Sequence, residues 1–299
     1  MSAGCMTPVE TSKSFVAVGE NKAKLPIGRM FLLALLAGVY IGFGAQAALT
    51  ASTGQWDNYF GIAKVLMGGA FTVGLMLVVI GGAELFTGNN LMSVALFSGR
   101  IGMGSLLRNW LVVYVGNFVG SLLLALIIVK GGGALAGPVG GTALKVAVAK
   151  TSAAAIAGVD HNWAMFFRGI ACNWLVCMAV VMAASAREIA GKVLAIFFPI
   201  FTFVLSGFEH SVANMYFLPA ALLAKASPVA VAASGFKPAQ LAGLSWTTMW
   251  THNLVAVTLG NIVGGAIFVG VVYFYAHVCG SEVCTVRSLA GGGQPASRR

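Results

Sequence analysis

Six long apolar segments alternate with short stretches that carry most of the charged residues of this chain. A helix that crosses the hydrocarbon of a bilayer requires about 20 consecutive apolar residues, and all of these segments are long enough. They lie at about 28–50, 60–97, 106–129, 163–186, 193–224 and 249–277. Lipid provides no hydrogen-bond partners for an open backbone. The pattern therefore predicts an all-α polytopic membrane protein with six transmembrane helices.

Composition supports the same class. Of the 299 residues, 59% are hydrophobic and only 9% are charged, whereas soluble domains carry about a quarter charged residues. The net charge of +10 comes from Lys and Arg that lie mainly between the apolar segments, which is typical of topology determinants and headgroup contacts. We therefore expect no nucleic-acid partner. The five cysteines form no metal or redox motif, and we expect no cofactor.

Basic residues also predict the orientation. Six spans place both termini on one side of the membrane, and that side carries eleven Lys and Arg against six on the other. The positive-inside rule then places both termini in the cytoplasm, in a plasma (inner) membrane. We predict a cytoplasmic N-terminal segment at 1–27, a transmembrane channel domain at 28–278 and a cytoplasmic tail at 279–299.

Two of the apolar segments, the second and the fifth, are too long for a simple crossing. Each carries polar residues in its middle, GGAELFTGNN at 81–90 and SGFEHSVAN at 206–214. Polar backbone at that depth is tolerated where it lines a cavity enclosed by protein. The sequence therefore predicts that the second and fifth helices are broken.

An internal repeat connects these two breaks. GAELFTGN (82–89) and GFEHSVAN (207–214) share the pattern G-x-E-x-x-x-x-N. NWLVVYVGN (109–117) and NLVAVTLGN (253–261) follow in the same order and share two Asn, a Val and a Gly. Each half holds three spans, so the second half enters from the opposite side and the repeats are inverted, at about 28–130 and 163–278. Inverted repeats with broken helices are typical of transporters.

The repeat separates two kinds of polar residue at the breaks. Glu84 and Glu209 are equivalent, which favours a structural role in which the carboxylates accept hydrogen bonds from freed backbone N–H groups; proton carriage is the alternative. His210 has no counterpart, because Leu85 occupies its position in the first half. A histidine beside the Glu209 carboxylate is biased toward its charged form. His210 is therefore our candidate for handling substrate charge, the alternative being a polar residue satisfied within the break.

Four segments together resemble the formate/nitrite transporter family: GGAELFTGN (81–89), CNWLVC (172–177), SGFEHSVANM (206–215) and VTLGNIVGG (257–265). The similarity extends from about residue 26 to 276. It implies an aquaporin-like fold and a homopentamer in which each six-helix protomer holds its own pore. The family passes small monovalent anions, namely formate, nitrite and hydrosulfide, and in some branches lactate or bicarbonate.

The resemblance also implies site residues. The substrate pathway that it implies contains His210, Thr87, Asn261, Glu209, Asn173 and Lys150, with Lys150 as the vestibule lysine. The apolar constrictions that it implies are Phe71, Leu75 and Phe203 on one side of His210 and Leu85 and Phe86 on the other. From the residues alone, these aromatic side chains are more typical of packing.

The implied mechanism is proton-linked transport of a weak acid. Basic residues concentrate the anion, the constrictions exclude water and bare ions, and the central histidine supplies hydrogen bonds or a proton. The expected partners are the anion, protons and the lipid bilayer. An aquaporin-type channel for neutral solutes is one rival, although neither break contains an NPA triplet. An intramembrane enzyme is another, although H-E-x-x-H and G-x-S-x-G are both absent from the sequence.

Overall fold

The computed structural model describes residues 4–56 and 58–284, and the described chain is almost entirely helical. In chain order the α-helices are Pro8–Lys24 (α1), Ile27–Ser52 (α2), Phe60–Gly81 (α3), Phe86–Asn89 (α4), Ser93–Phe97 (α5), Met103–Ala125 (α6), Pro138–Thr151 (α7), His161–Ser185 (α8), Ile189–Leu205 (α9), Ser211–Ala224 (α10), Pro228–Ser234 (α11), Pro238–Leu241 (α12), Trp246–Met249 (α13) and Val255–Ile262 (α14). A 3₁₀ turn at Asn90–Met92 joins α4 to α5. Wider π-helical turns extend α6 over Leu126–Gly131 and run through the last span at Trp250–Leu254, Val263–Val271 and Phe274–Val278.

Within the described residues, five continuous helices are long and apolar enough to cross a membrane. The number rises to six if α10 and α11, which meet at a bend of 114°, count as one span. The shorter apolar helix α9 precedes this pair. Apart from α11, these helices lie in the six segments that the hydropathy pattern predicts, and the fifth segment holds α9 and α10. The all-helical membrane fold is confirmed.

Both predicted breaks are present. The second span stops at Gly81 and resumes at Phe86, and the fifth stops at Leu205 and resumes at Ser211. The chain turns out of each first half-helix through a glycine with positive φ, 77° at Gly82 and 73° at Gly207. Only glycine adopts this left-handed conformation without strain. The first residue of the shared G-x-E pattern therefore ends each half-helix.

The two repeats pack in the same way. Helix α2 packs against α3 and α6, and its counterpart α8 packs against α9 and α14. The glycines of the repeated GNFVG and GNIVG motifs allow this close approach. A Cβ atom at Gly120 would overlap the Leu35 carbonyl oxygen, and one at Gly264 would overlap the Ile170 carbonyl oxygen.

Helices α1 and α7 are among those that lie outside the predicted spans. Helix α1 forms within the polar N-terminal segment and begins at a capping box, in which Thr7 Oγ1 accepts from the Glu10 N–H and the Glu10 carboxylate accepts from the Thr7 N–H. Donation to the Glu10 carboxylate from the Thr7 N–H, and then from the Thr7 hydroxyl, lowers the pKa of the Glu10 carboxyl group. Helix α7 lies between the repeats and packs against α10 and α11. Each of these helices carries a lysine in its last turn, Lys22 and Lys150.

The glycine contacts lead to a prediction about stability. We expect Gly120→Ala to destabilise the protein by about 1–3 kcal/mol, because the added methyl group forces two backbones apart. Thermal unfolding of the detergent-solubilised protein measures the loss. Gly69→Ala is the matched control, because a Cβ there meets open space. Equal melting temperatures for the two variants would contradict the packing described above.

Candidate functional site

An asparagine from α6 closes the first break. The break frees the Phe86 N–H, and the Asn117 side-chain oxygen accepts from it at 2.9 Å. Its amide group donates to the carbonyl oxygens of Ala34 at 2.8 Å and Glu84 at 2.9 Å. The side chain thus joins both sides of the break to α2.

An asparagine from α14 closes the second break in the same way. The Asn261 oxygen accepts from the Ser211 N–H at 2.8 Å, and its amide donates to Gly169 O at 2.8 Å and Glu209 O at 2.9 Å. All polar atoms of Asn261 are therefore engaged with the backbone. The structure places Asn261 as a clamp of the break, with no free donor left for a substrate.

The glutamate carboxylates have a different role from the one predicted, because they accept from side chains, and Asn117 and Asn261 each take one freed backbone N–H. The Glu84 carboxylate accepts from Lys22 at 2.6 Å and from the Asn89 side chain at 2.7 Å. Asn89 also donates to the Asn109 side-chain oxygen at 2.8 Å. Glu84 therefore connects the first break to α1 and α6.

Glu209 repeats this arrangement at the second break. Lys150 donates to both of its carboxylate oxygens at 2.8 Å, and Asn214 donates to one of them at 2.7 Å. Asn214 also donates to the Asn253 side-chain oxygen at 2.7 Å. The sequence placed this carboxylate beside His210, where it would favour a charged ring. In the structure the carboxylate is bonded to the ammonium of Lys150 on α7.

His210 contacts Thr87 across the repeat axis. Its Nε2 lies 2.9 Å from Thr87 Oγ1, and its Nδ1 accepts from the Ala213 N–H at 3.0 Å. Because Nδ1 is occupied as an acceptor, the neutral ring carries its hydrogen on Nε2 and donates it to Thr87. The Thr87 hydroxyl hydrogen is then available to another acceptor.

Asn173 positions Thr87 from α8. Its buried amide group donates to Thr87 O at 3.2 Å, to Asn90 Oδ1 at 2.9 Å and to Asn261 O at 2.7 Å. Asn173 therefore holds the first break against the last span, and its amide hydrogens are used within the protein.

Two cavities approach this site from opposite ends. The first has a volume of about 350 Å³, and we call it the α1 cavity because α1 forms part of its wall. The residues relevant to its chemistry are Lys22, Leu75, Glu84, Leu85 and Lys192. The other, called the α7 cavity, has a volume of about 500 Å³; the corresponding residues are Lys64, Lys145, Lys150, Arg168, Glu209 and His210.

The pair of His210 and Thr87 lies between the cavities. His210 lines the α7 cavity, and Gly88, next to Thr87, lines the α1 cavity. The side chains of His210 and Thr87 are both buried. Cationic side chains outnumber carboxylates among the described residues that line each cavity, so both cavities favour anions.

Aromatic rings narrow the α7 cavity beside His210. Phe71 and Phe203 meet edge to face with ring centroids 5.6 Å apart, and the Phe203 ring stacks on the imidazole at 5.9 Å. Phe217, which the sequence did not single out, stacks on Phe71 at 6.3 Å. All three rings line the α7 cavity together with His210.

The other expected constriction residues lie differently. Leu75 lines the α1 cavity together with Leu85, so it does not share the side of Phe71 and Phe203. The Phe86 ring packs against Trp110 and Tyr114 at centroid distances of 6.1 and 5.0 Å. These aromatic contacts hold the Phe86 ring against α6.

The internal repeat also marks asparagines that hold the two breaks. The repeat marks Asn109 with Asn253 and Asn117 with Asn261, and conserved spacing within one chain is the evidence for a shared structural role. Lys22 had no such signal, because the repeat motifs begin only after it. The residues that follow Lys150 form a loop before α8, and Lys150 itself lies within reach of Glu209.

Comparisons with known proteins agree with this geometry. The model of the formate/nitrite transporter family matches residues 9–275. A probable formate transporter of Methanothermobacter thermautotrophicus is 40% identical over 289 residues, covering 93% of this chain and 99% of that protein. The formate channel FocA of Escherichia coli strain K12 is 38% identical over 277 residues, covering 91% and 95%. A solved pentameric formate channel with formate bound has a TM-score of 0.75 at 40% identity, covering 84% of this chain and 97% of that chain.

The asparagine clamps give a prediction that separates structure from transport. We expect Asn261→Ala and Asn117→Ala to lower the free energy of unfolding by a similar amount, about 1–3 kcal/mol, because each removes the partner of one buried N–H and one carbonyl of the break. Thermal unfolding measures this, with exposed Asn162→Ala as the control. If Asn261→Ala abolished transport and left the melting temperature unchanged, Asn261 would be a substrate ligand and the clamp assignment would be wrong.

Proposed function

This chain belongs to the formate/nitrite transporter family, and we propose that it conducts formate through a pore in each protomer. It is a multi-pass membrane protein of a transport family, not an enzyme. The observation that carries the proposal is the 2.9 Å contact between His210 and Thr87, which lies between two cavities lined by cationic side chains. Relatives described as formate transporter and formate channel support formate as the substrate.

The cavities concentrate the anion and the rings select against hydrated ions. Lysine and arginine side chains of the α7 cavity attract a small monovalent anion by Coulomb forces, which act strongly where the surroundings are partly apolar. Phe71 and Phe203 then oppose the passage of a bare charge, because an unpaired charge in an apolar environment is very costly. The anion therefore has to lose its charge or gain hydrogen bonds at the centre.

His210 and Thr87 provide such a hydrogen bond. The imidazole Nε2–H fixes the Thr87 oxygen, and the Thr87 hydroxyl then donates to an oxygen of the substrate. A proton from water on the loading side joins the formate oxygen, neutral formic acid crosses between the rings, and the proton returns to water on the far side. Flux therefore follows both the formate and the proton gradient. His210 stays neutral in this scheme and acts as a donor that orients Thr87.

The remaining features of the proposal concern assembly and orientation. We place the α1 cavity on the cytoplasmic side of a plasma (inner) membrane, from the excess of basic residues near the termini. A homopentamer is supported by the pentameric formate channel to which this chain is similar. Nitrite, with the same charge and a similar size, is the second substrate we propose, and hydrosulfide, lactate and bicarbonate are the alternatives.

Replacement of the histidine tests the mechanism. We expect His210→Phe to lower formate uptake into proteoliposomes by about tenfold, because Thr87 loses the donor that orients it. Phenylalanine preserves the stacking on Phe203, which limits structural change. His277→Phe is the matched control, since that ring packs on Tyr273 away from both cavities. Unchanged flux and unchanged pH dependence in His210→Phe would overturn the mechanism.

The proton linkage has its own test in the same vesicles. Wild-type uptake at constant total formate should rise as the pH on the loading side falls, because the neutral fraction of an acid above its pKa grows about tenfold per pH unit. Stopped-flow measurements with formate, nitrite, hydrosulfide, lactate and bicarbonate give the order of preference. Formate flux independent of a pH gradient would contradict the linkage and leave formate conduction in place.

A further inference from the structure

Lys64 occupies an unusual position on the wall of the α7 cavity. It lies in the second turn of α3, and its ammonium reaches the break in the fifth span, where a Cβ atom placed on Gly207 would lie 3.3 Å from Nζ. The side chain lines the cavity together with Lys150 and Arg168. A charged side chain within a membrane-spanning helix usually faces a cavity and has a function.

Lys64 lacks the partner that Lys150 has. Both oxygens of Glu209 are bonded to Lys150, and one of them also accepts from Asn214. Glu209 is the only carboxylate among the described residues that line the α7 cavity. Over residues 4–56 and 58–284, the Lys64 ammonium donates no hydrogen bond to a protein acceptor, and the charges that act on it are Lys150, Glu209 and Arg168. Its positive charge therefore faces the cavity largely uncompensated.

The position of Lys64 on α3 points along the pathway. Lys64, Met67 and Phe71 line the α7 cavity, and Leu75 and Val78 line the α1 cavity. These residues follow one another at helical spacing and so form one face of α3. Lys64 precedes Phe71 by two turns, or about 10 Å along the axis. An anion held at Lys64 is thus one step outside the constriction.

We propose that Lys64 is the residue that binds the substrate anion in the α7 cavity before it reaches the constriction. The ligand class is a small monovalent carboxylate or oxyanion, which exchanges its water for the ammonium. Lys150 is largely neutralised by Glu209 and holds the break, whereas the Lys64 ammonium lies beside the break and donates to no acceptor among the described residues. Lys145 and Arg168, which line the same cavity, add to the positive potential. This assignment rests on the proposed conduction of formate, which it extends by naming a binding site.

A structural explanation competes with this one. The ammonium lies near the C-terminal end of α9, where a cation interacts favourably with the helix dipole. If that were its whole role, loss of the charge would reduce stability and the amount of folded protein. It would leave the concentration of formate needed for half-maximal flux unchanged. The two roles therefore differ in the parameter that changes.

Charge removal at position 64 distinguishes them. In proteoliposomes we expect Lys64→Met and Lys64→Gln to raise the KM for formate at least about fivefold. One unit charge at 4 Å has about this effect in water, and the effect is larger where the surroundings are partly apolar. The maximal rate per folded protein should stay within about twofold of wild type, since the central site is intact, and Lys64→Arg should restore a KM near wild type. The KM of the neutral variants should also rise less with added salt, because a screened attraction is missing. Lys130→Met, which removes an exposed lysine outside the cavity, is the matched control.

A binding measurement separates this site from conduction itself. Formate should raise the melting temperature of the solubilised wild-type protein and of Lys64→Arg more than that of Lys64→Gln. If wild type bound formate in this way without conducting it, the proposed function would fail and the Lys64 site would stand. Equal KM values and equal formate-induced stabilisation in wild type and both neutral variants would overturn the assignment, whatever their stability.

Discussion

Backbone groups freed at the two helix breaks must find partners inside the protein, because the hydrocarbon around them offers none. Asn117 and Asn261 meet this requirement with the same three hydrogen bonds each. Every other feature of the centre depends on these clamps. They hold the non-helical residues between the two half-helices of each broken span in place. His210 and Thr87 meet between the two breaks.

A symmetric frame holds an asymmetric centre. The frame consists, at each break, of the clamping asparagine, the glutamate, the asparagine bonded to that glutamate, and a lysine from α1 or α7. Each lysine forms an ion pair with the glutamate and so joins its helix to the break. The centre does not repeat: His210 stands where the first half has Leu85, and Thr87 where the second half has Val212.

The fold was largely predictable because its signals are local or repeated. Apolar length predicted the spans, and the glycine and polar residues of GAELFTGN and GFEHSVAN predicted the breaks. His210 was found as the residue that the repeat does not explain. Contacts between distant segments were not predictable: hydropathy gives no sign that the carboxylate of Glu209 turns to Lys150, or that Leu75 lies beyond Phe71. Lys22 and Lys64 were missed because a single lysine near the end of an apolar segment is ordinarily a topology signal.

Pairing of the buried charges explains how the cavities can be positive and still belong to a stable fold. A carboxylate left alone beside each break would destabilise the protein strongly, and Lys22 and Lys150 remove that cost. Once paired, these lysines contribute little net attraction at a distance, because the charges of each ion pair largely cancel. Attraction of an anion into the α7 cavity must then come from cations that the fold does not neutralise. On the proposal made for Lys64, the lysines that hold the breaks, Lys22 and Lys150, are therefore distinct from the lysine that attracts the substrate.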